Sequence, residues 1–150
     1  MKRGVLLDTG PLVAALDRRD EHHAWAVAQL RDVAPPLKTC ESVISEAGFL
    51  LRGVNGGTSA LCEFIQRGMV EIGFHMAPEF EALAKLLSRY AEVPISIADA
   101  CLVRMSELDP RAPVLTTDSD FLIYRRNGRQ ALSTIMPEPV GHRGRRGRKK

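Results

Sequence analysis

The chain has 150 residues, 45% hydrophobic and 26% charged, with a formal net charge of +3. That length and apolar content, with no repeat period, suit one globular domain able to bury its own core. The opening Met1-Lys2-Arg3-Gly4 leads into only three apolar residues before Asp8, too short a run for a signal peptide or membrane span, so a cytoplasmic protein without membrane association is expected.

In chain order, Val5-Leu6-Leu7 after Gly4 reads as a buried strand ending at an acid. Asp8-Thr9-Gly10-Pro11 then offers a cap and an early proline for a short helix to residue 17. A longer helix follows Asp20, with Ala24, Val27, Ala28 and Leu30 apolar, and Pro35-Pro36 ends it. Leu37 to Cys40 reads as a second strand, 41–53 and 58–67 as helices around the turn Asn55-Gly56-Gly57, and Met69 to Ile72 as a third strand. Phe80, Leu83, Ala84 and Leu87 recur at i, i+3, i+4 and i+7 in a helix over 79–91, and another is predicted over 97–108. Val114 to Thr116 is a fourth strand, a short helix starts at Asp118, and a last strand runs from Ala131 to Ile135. Short apolar strands alternating with helices predict a three-layer α/β domain, a central parallel sheet of four to five strands flanked by helices. Ligands of such sheets bind beyond the carboxyl ends of the strands, where Asp8 and Asp118 lie.

The charge is divided unevenly. Six of the 21 Lys and Arg residues lie in Gly141 to Lys150, which holds no acid, leaving 15 basic against 18 acidic residues, so the body carries −3 and the tail +6. A domain over 1–136 and a disordered basic tail over 137–150 are expected. Arg143, Arg145 and Arg146 suit a polyanion such as RNA through counterion release, though a solvated tail would look the same. The three cysteines, Cys40, Cys62 and Cys101, are odd in number and widely spaced, which favours buried free thiols in a reducing compartment over a disulfide framework or zinc site.

Four acids, Asp8, Glu46, Asp99 and Asp118, each follow an apolar run or lie on an apolar helix face. Asp8 and Asp118 have an alternative role as helix caps, and Asp99 lies three residues after Ser96 at a capping-box spacing. Glu46 has no such role: Ser42, Val43, Phe49 and Leu50 flank it on a mostly apolar helix face, so burial is expected, and burial without a partner would cost several kcal/mol. Carboxylates brought together repel one another unless a cation neutralises them, which points to a bound divalent metal.

Leu6-Leu7-Asp8-Thr9-Gly10-Pro11-Leu12, Ser45-Glu46, Ile97-Ala98-Asp99-Ala100 and Leu115-Thr116-Thr117-Asp118-Ser119-Asp120-Phe121 together resemble the four acidic motifs of PIN-domain ribonucleases. The resemblance spans roughly residues 3 to 136 and is closest to the VapC-type toxins of toxin–antitoxin pairs. It implies a PIN-like fold and a metal-dependent endoribonuclease using Mg²⁺ or Mn²⁺, with Asp8, Glu46, Asp99 and Asp118 as catalytic, metal-binding acids and Asp120 as a further one. Thr117 would orient the site through its hydroxyl. The implied partners are an RNA substrate, a VapB-like antitoxin that inserts a segment into the acidic groove, and a second copy of the chain in a homodimer. The basic tail departs from the family pattern.

Arg125, Arg126 and Arg129 after the last motif are candidates for RNA backbone contact or a solvated face. His22, His23 and Trp25 read as packing, since adjacent histidines point to different faces of a helix. Gly53-Val54-Asn55-Gly56-Gly57 lacks the lysine and hydroxyl residue of a phosphate loop. Two alternatives stay open: a catalytically weak RNA-binding regulator of the same fold, and an Mg-dependent phosphatase with Asp8 as covalent nucleophile. Many such phosphatases carry a second aspartate two positions on, where this chain has Gly10.

Overall fold

The computed structural model describes residues 1–139; Arg143, Arg145 and Arg146 and most of the expected tail lie outside the described residues. Among the described residues seven strands occur in chain order: β1 (Leu6–Leu7), β2 (Leu37–Thr39), β3 (Val70–Ile72), β4 (Val114–Leu115), β5 (Arg125–Arg126), β6 (Gln130–Ala131) and β7 (Thr134–Ile135). The α-helices of the described residues are α1 (Thr9–Leu16), α2 (His23–Arg31), α3 (Glu41–Leu51), α4 (Gly57–Gln66), α5 (Phe80–Arg89) and α6 (Ile97–Leu108).

Five strands form a wholly parallel sheet in the order β3-β2-β1-β4-β7. Its centre is dry: Leu6, Leu7, Val114 and Leu115 are all buried, as parallel strands covered on both faces require. From β1 the chain moves outward through β2 to β3, then returns past β1 to β4. Right-handed crossovers therefore place α1 to α4 on one face and α5 with α6 on the other. The reversal puts the topological switch point between β1 and β4, where the turns leaving adjacent strands part and open a crevice. Arg104 of α6 bridges Glu79 at 2.7 Å and Glu107 at 3.2 Å, joining α6 to the entry of α5.

The segment after β4 differs from the expected single strand over 131–135. A 3₁₀ turn (Ser119–Leu122) leads into an antiparallel hairpin of β5 and β6, and only Thr134–Ile135 enters the main sheet. The hairpin turns at Asn127 (φ 52°) and Gly128 (φ 73°). Positive φ at both central residues matches the right-handed twist of the flanking strands, and Asn-Gly is the sequence that tolerates it. Cys40 and Cys101 are buried and Cys62 is exposed, against the expectation of burial for all three; all are free thiols.

Candidate active site

Asp8 is the first residue after β1 and the N-cap of α1, where its Oδ1 accepts the Thr9 N–H at 2.8 Å. The capping role and the site role therefore coincide in one side chain. The register that pairs Leu7 with Leu115 sets Thr116 beside Asp8, and the Thr116 hydroxyl donates to Asp8 Oδ2 at 2.6 Å. The same hydroxyl oxygen accepts the Asp118 N–H at 2.9 Å. One buried threonine thus ties the two strand-end turns together. Asp118 in turn caps the 3₁₀ turn, its Oδ1 accepting the Asp120 N–H at 2.9 Å.

Thr116, rather than the expected Thr117, bonds the acids. Thr117 instead lies against Gly10, where any Cβ would overlap its Oγ1. Gly10 is therefore needed for the close approach of the two turns. Gly10 and Thr117 also line a cavity of about 460 Å³ with Val13, Leu50, Asp20, Glu21 and His22.

Glu46 and Asp99 arrive from the two helical layers, on α3 and α6, which pack against each other. The Thr9 hydroxyl donates to Glu46 Oε2 at 3.3 Å, bringing that carboxylate to the residue beside Asp8. Glu46 is nonetheless exposed, as are its neighbours Phe49 (60%) and Leu50 (49%). The expectation of a carboxylate buried in an apolar face is wrong for Glu46; Asp8, 5% exposed, is the buried acid. Asp99 is half-buried, its N–H donates to Ser96 Oγ at 3.0 Å, and its Oδ2 accepts the Tyr124 hydroxyl at 3.0 Å. Tyr124 carried no sequence signal as a site residue.

The electrostatics show how close these groups are. Burial above all, with repulsion from Asp99 and Asp118 added, pushes the Asp8 carboxyl up to about 7 against the hydrogen bonds from Thr116 and Thr9. Burial likewise raises Asp99 to about 6, with Asp118 and Glu46 contributing repulsion. Among the described residues, no Lys, Arg or His pairs with Asp8, Glu46, Asp99, Asp118 or Asp120. Four mutually repelling hard-oxygen donors without a cationic side chain fit a divalent cation of the Mg²⁺ or Mn²⁺ kind. Among the described residues no three His, Cys, Asp or Glu side chains stand close enough together to hold an ion as they are, so the fit is one of donor chemistry and charge, not of a formed coordination shell. Both Asp8 oxygens are engaged, which suits a fixed ligand better than a covalent nucleophile.

The remaining candidates have other partners. The Arg125 guanidinium donates through Nη1 to the carbonyls of Leu122, Ile123 and Tyr124 at 2.8, 3.2 and 2.9 Å, and Arg126 Nη1 donates to the Pro110 carbonyl at 2.8 Å. Arg129 is exposed. His23 Nδ1 bonds the Ala14 carbonyl at 2.7 Å, joining α2 to α1, while Trp25 packs against the core edge-on to His22.

A family model described as the PIN domain matches residues 5–127. Ribonuclease VapC26 of Mycobacterium tuberculosis is 27% identical over 117 residues, covering 76% of this chain and 86% of that protein. Among solved structures, M. tuberculosis VapC20, described as a Sarcin-Ricin loop cleaving toxin, superposes with a TM-score of 0.68 at 21% identity. The match covers 77% of this chain and 91% of that one, and it is a likeness of fold.

Proposed function

The chain belongs to the PIN-domain family, and from that premise we propose that it is a divalent-metal-dependent endoribonuclease, the toxin of a VapBC-like toxin–antitoxin pair. The observation that carries this reading is the meeting of Asp8 and Asp118 at the switch point between β1 and β4, tied through Thr116. The similarity to Ribonuclease VapC26 supports RNA as the substrate.

Asp8, Glu46, Asp99 and Asp118 would hold Mg²⁺ or Mn²⁺, with Asp120 an auxiliary acid beside Asp118. Such a cation would neutralise the carboxylates and polarise water and phosphate oxygens for hydrolysis. Asp8, fixed by two hydrogen bonds, serves as the rigid anchor of the site. Asp99 and Asp118 stand as acceptors for the proton lost by the attacking water. Thr116 keeps the β1 and β4 turns in register during this chemistry, and Thr117 shapes the opening beside Gly10.

The body's −3 charge repels a phosphate backbone, so RNA capture falls to basic groups outside the cleft, with the six cations after residue 140 the densest source. A VapB-like antitoxin, a homodimeric assembly and a cytoplasmic setting complete the proposal. No helix among the described residues is long and apolar enough to cross a membrane. The test is cleavage of total RNA by the full chain. Discrete fragments are expected with Mg²⁺ or Mn²⁺ and intact RNA in chelator; cleavage that persists unchanged in chelator contradicts the reading.

A further inference from the structure

Tyr124 is fully buried and among the largest such side chains in the chain. A tyrosine hydroxyl taken out of water needs a partner. Here the partner is a carboxylate of the acidic cleft, Asp99 Oδ2 at 3.0 Å.

The ring is held from several sides. Tyr90 and Phe121 meet it edge-on, with centroids 5.1 and 5.2 Å away. The next residue, Arg125, donates its backbone N–H to the Tyr90 hydroxyl at 2.9 Å, and the Asn127 N–H donates to Glu107 Oε2 at 2.7 Å. The β5–β6 hairpin is thereby fastened to α5 and α6 at two points, with Tyr124 at its root. Asp99 sits on the first turn of α6, where the Ser96 cap fixes its backbone. Its side chain needs a separate restraint to keep one rotamer.

We propose that Tyr124 is the positioning residue for Asp99, its hydroxyl setting the Asp99 carboxylate for the cation. This rests on the reading of the cleft as a metal-dependent nuclease centre. The hydroxyl occupies Oδ2 and removes the rotamers in which Asp99 would swing out to solvent, so an ion meets a carboxylate already in place. Outer hydrogen bonds of this kind orient metal-binding carboxylates, and losing one costs about 10- to 100-fold in metal affinity or activity.

The test uses the full chain and Mn²⁺ as probe, with binding read by loss of the free-ion electron paramagnetic resonance signal and cleavage followed on RNA. Tyr124→Phe keeps the ring and removes only the hydroxyl. Its Mn²⁺ dissociation constant should rise about tenfold, with a fall in kcat and a KM for RNA changed less than about twofold. Tyr90→Phe deletes a hydroxyl from the same aromatic cluster without touching the carboxylate; it should lower the melting temperature yet bind Mn²⁺ as wild type does. Wild-type Mn²⁺ affinity in Tyr124→Phe, or equal weakening by both variants, overturns the positioning role. Asp99→Asn separates the levels: if it binds Mn²⁺ like wild type, the metal-site reading itself fails and takes the proposal with it.

Discussion

The Thr116 hydroxyl donates to Asp8 Oδ2 at 2.6 Å while its oxygen accepts the Asp118 N–H, so one side chain of zero exposure serves both ends of the switch-point crevice. Thr116→Val keeps the shape and leaves a buried carboxylate oxygen and a backbone N–H without partners. Unfolding in urea should show a loss of about 1–3 kcal/mol, and RNA cleavage should fall. Thr116→Ser retains the hydroxyl and should recover most of the activity; equal damage by both substitutions would mean that the methyl, not the hydroxyl, matters.

Asp8 and Asp99 give the metal-free protein a defined pH dependence. Both carboxyls are raised in the fold, to about 7 and about 6 from 3.8, so between those values and the unfolded value the native state binds more protons than the unfolded state. Their stabilising contribution is present below about pH 4 and is lost as pH rises towards 7. For Asp8 the amount is on the order of 2–4 kcal/mol. Chemical unfolding of wild type and Asp8→Asn at pH 5 and pH 7.5 should show the variant losing less stability across that interval. Parallel losses in the two proteins would contradict the assigned burial of Asp8.

Gly10 and Thr117 form a second coupled pair. Gly10→Ala puts a methyl into the space of Thr117 Oγ1, and overpacking of this kind costs about 1–3 kcal/mol. Adding Thr117→Ala removes the obstructing hydroxyl and methyl and should restore a large part of that loss. A thermal-denaturation double-mutant cycle reads the coupling directly; simple additivity would show that the two turns do not press on each other.

The sheet and the two strand-end aspartates are legible in the sequence, because Val5-Leu6-Leu7 runs directly into Asp8 and Val114-Leu115 is followed, after two threonines, by Asp118. Helix α6 appears over its predicted span, 97–108. Glu46 departs from its expected burial for a physical reason: a periodic apolar face says which side chains share a side of α3, not whether anything covers it, and Phe49 and Leu50 remain exposed. Choosing Thr116 over Thr117 needs the β1–β4 register, a long-range fact. Tyr124 is 25 residues from Asp99 in sequence, and only the folded hairpin brings them together. That hairpin had a local signal in Asn127-Gly128, the turn pair that accepts two positive φ angles.

The uneven charge makes a kinetic prediction. Deleting Gly141 to Lys150 removes six cations whose attraction to RNA is shared by ground and transition states. The truncated chain should show a higher KM at low salt with kcat nearly unchanged, and the two forms should converge at high salt. A fall in kcat at saturating RNA would instead make the tail part of the catalytic centre.

The central claim is that the acids meeting at the β1–β4 crevice bind the cation that RNA hydrolysis requires. Its most direct test measures Mn²⁺ binding and RNA cleavage on the same preparations of wild type and Asp8→Asn. Wild type should bind Mn²⁺ and cleave RNA only in its presence, while the variant should remain folded, equally or more stable without metal because one repelling carboxylate is gone, and should neither bind nor cleave. An Asp8→Asn protein that cleaves RNA at the wild-type rate would contradict the account.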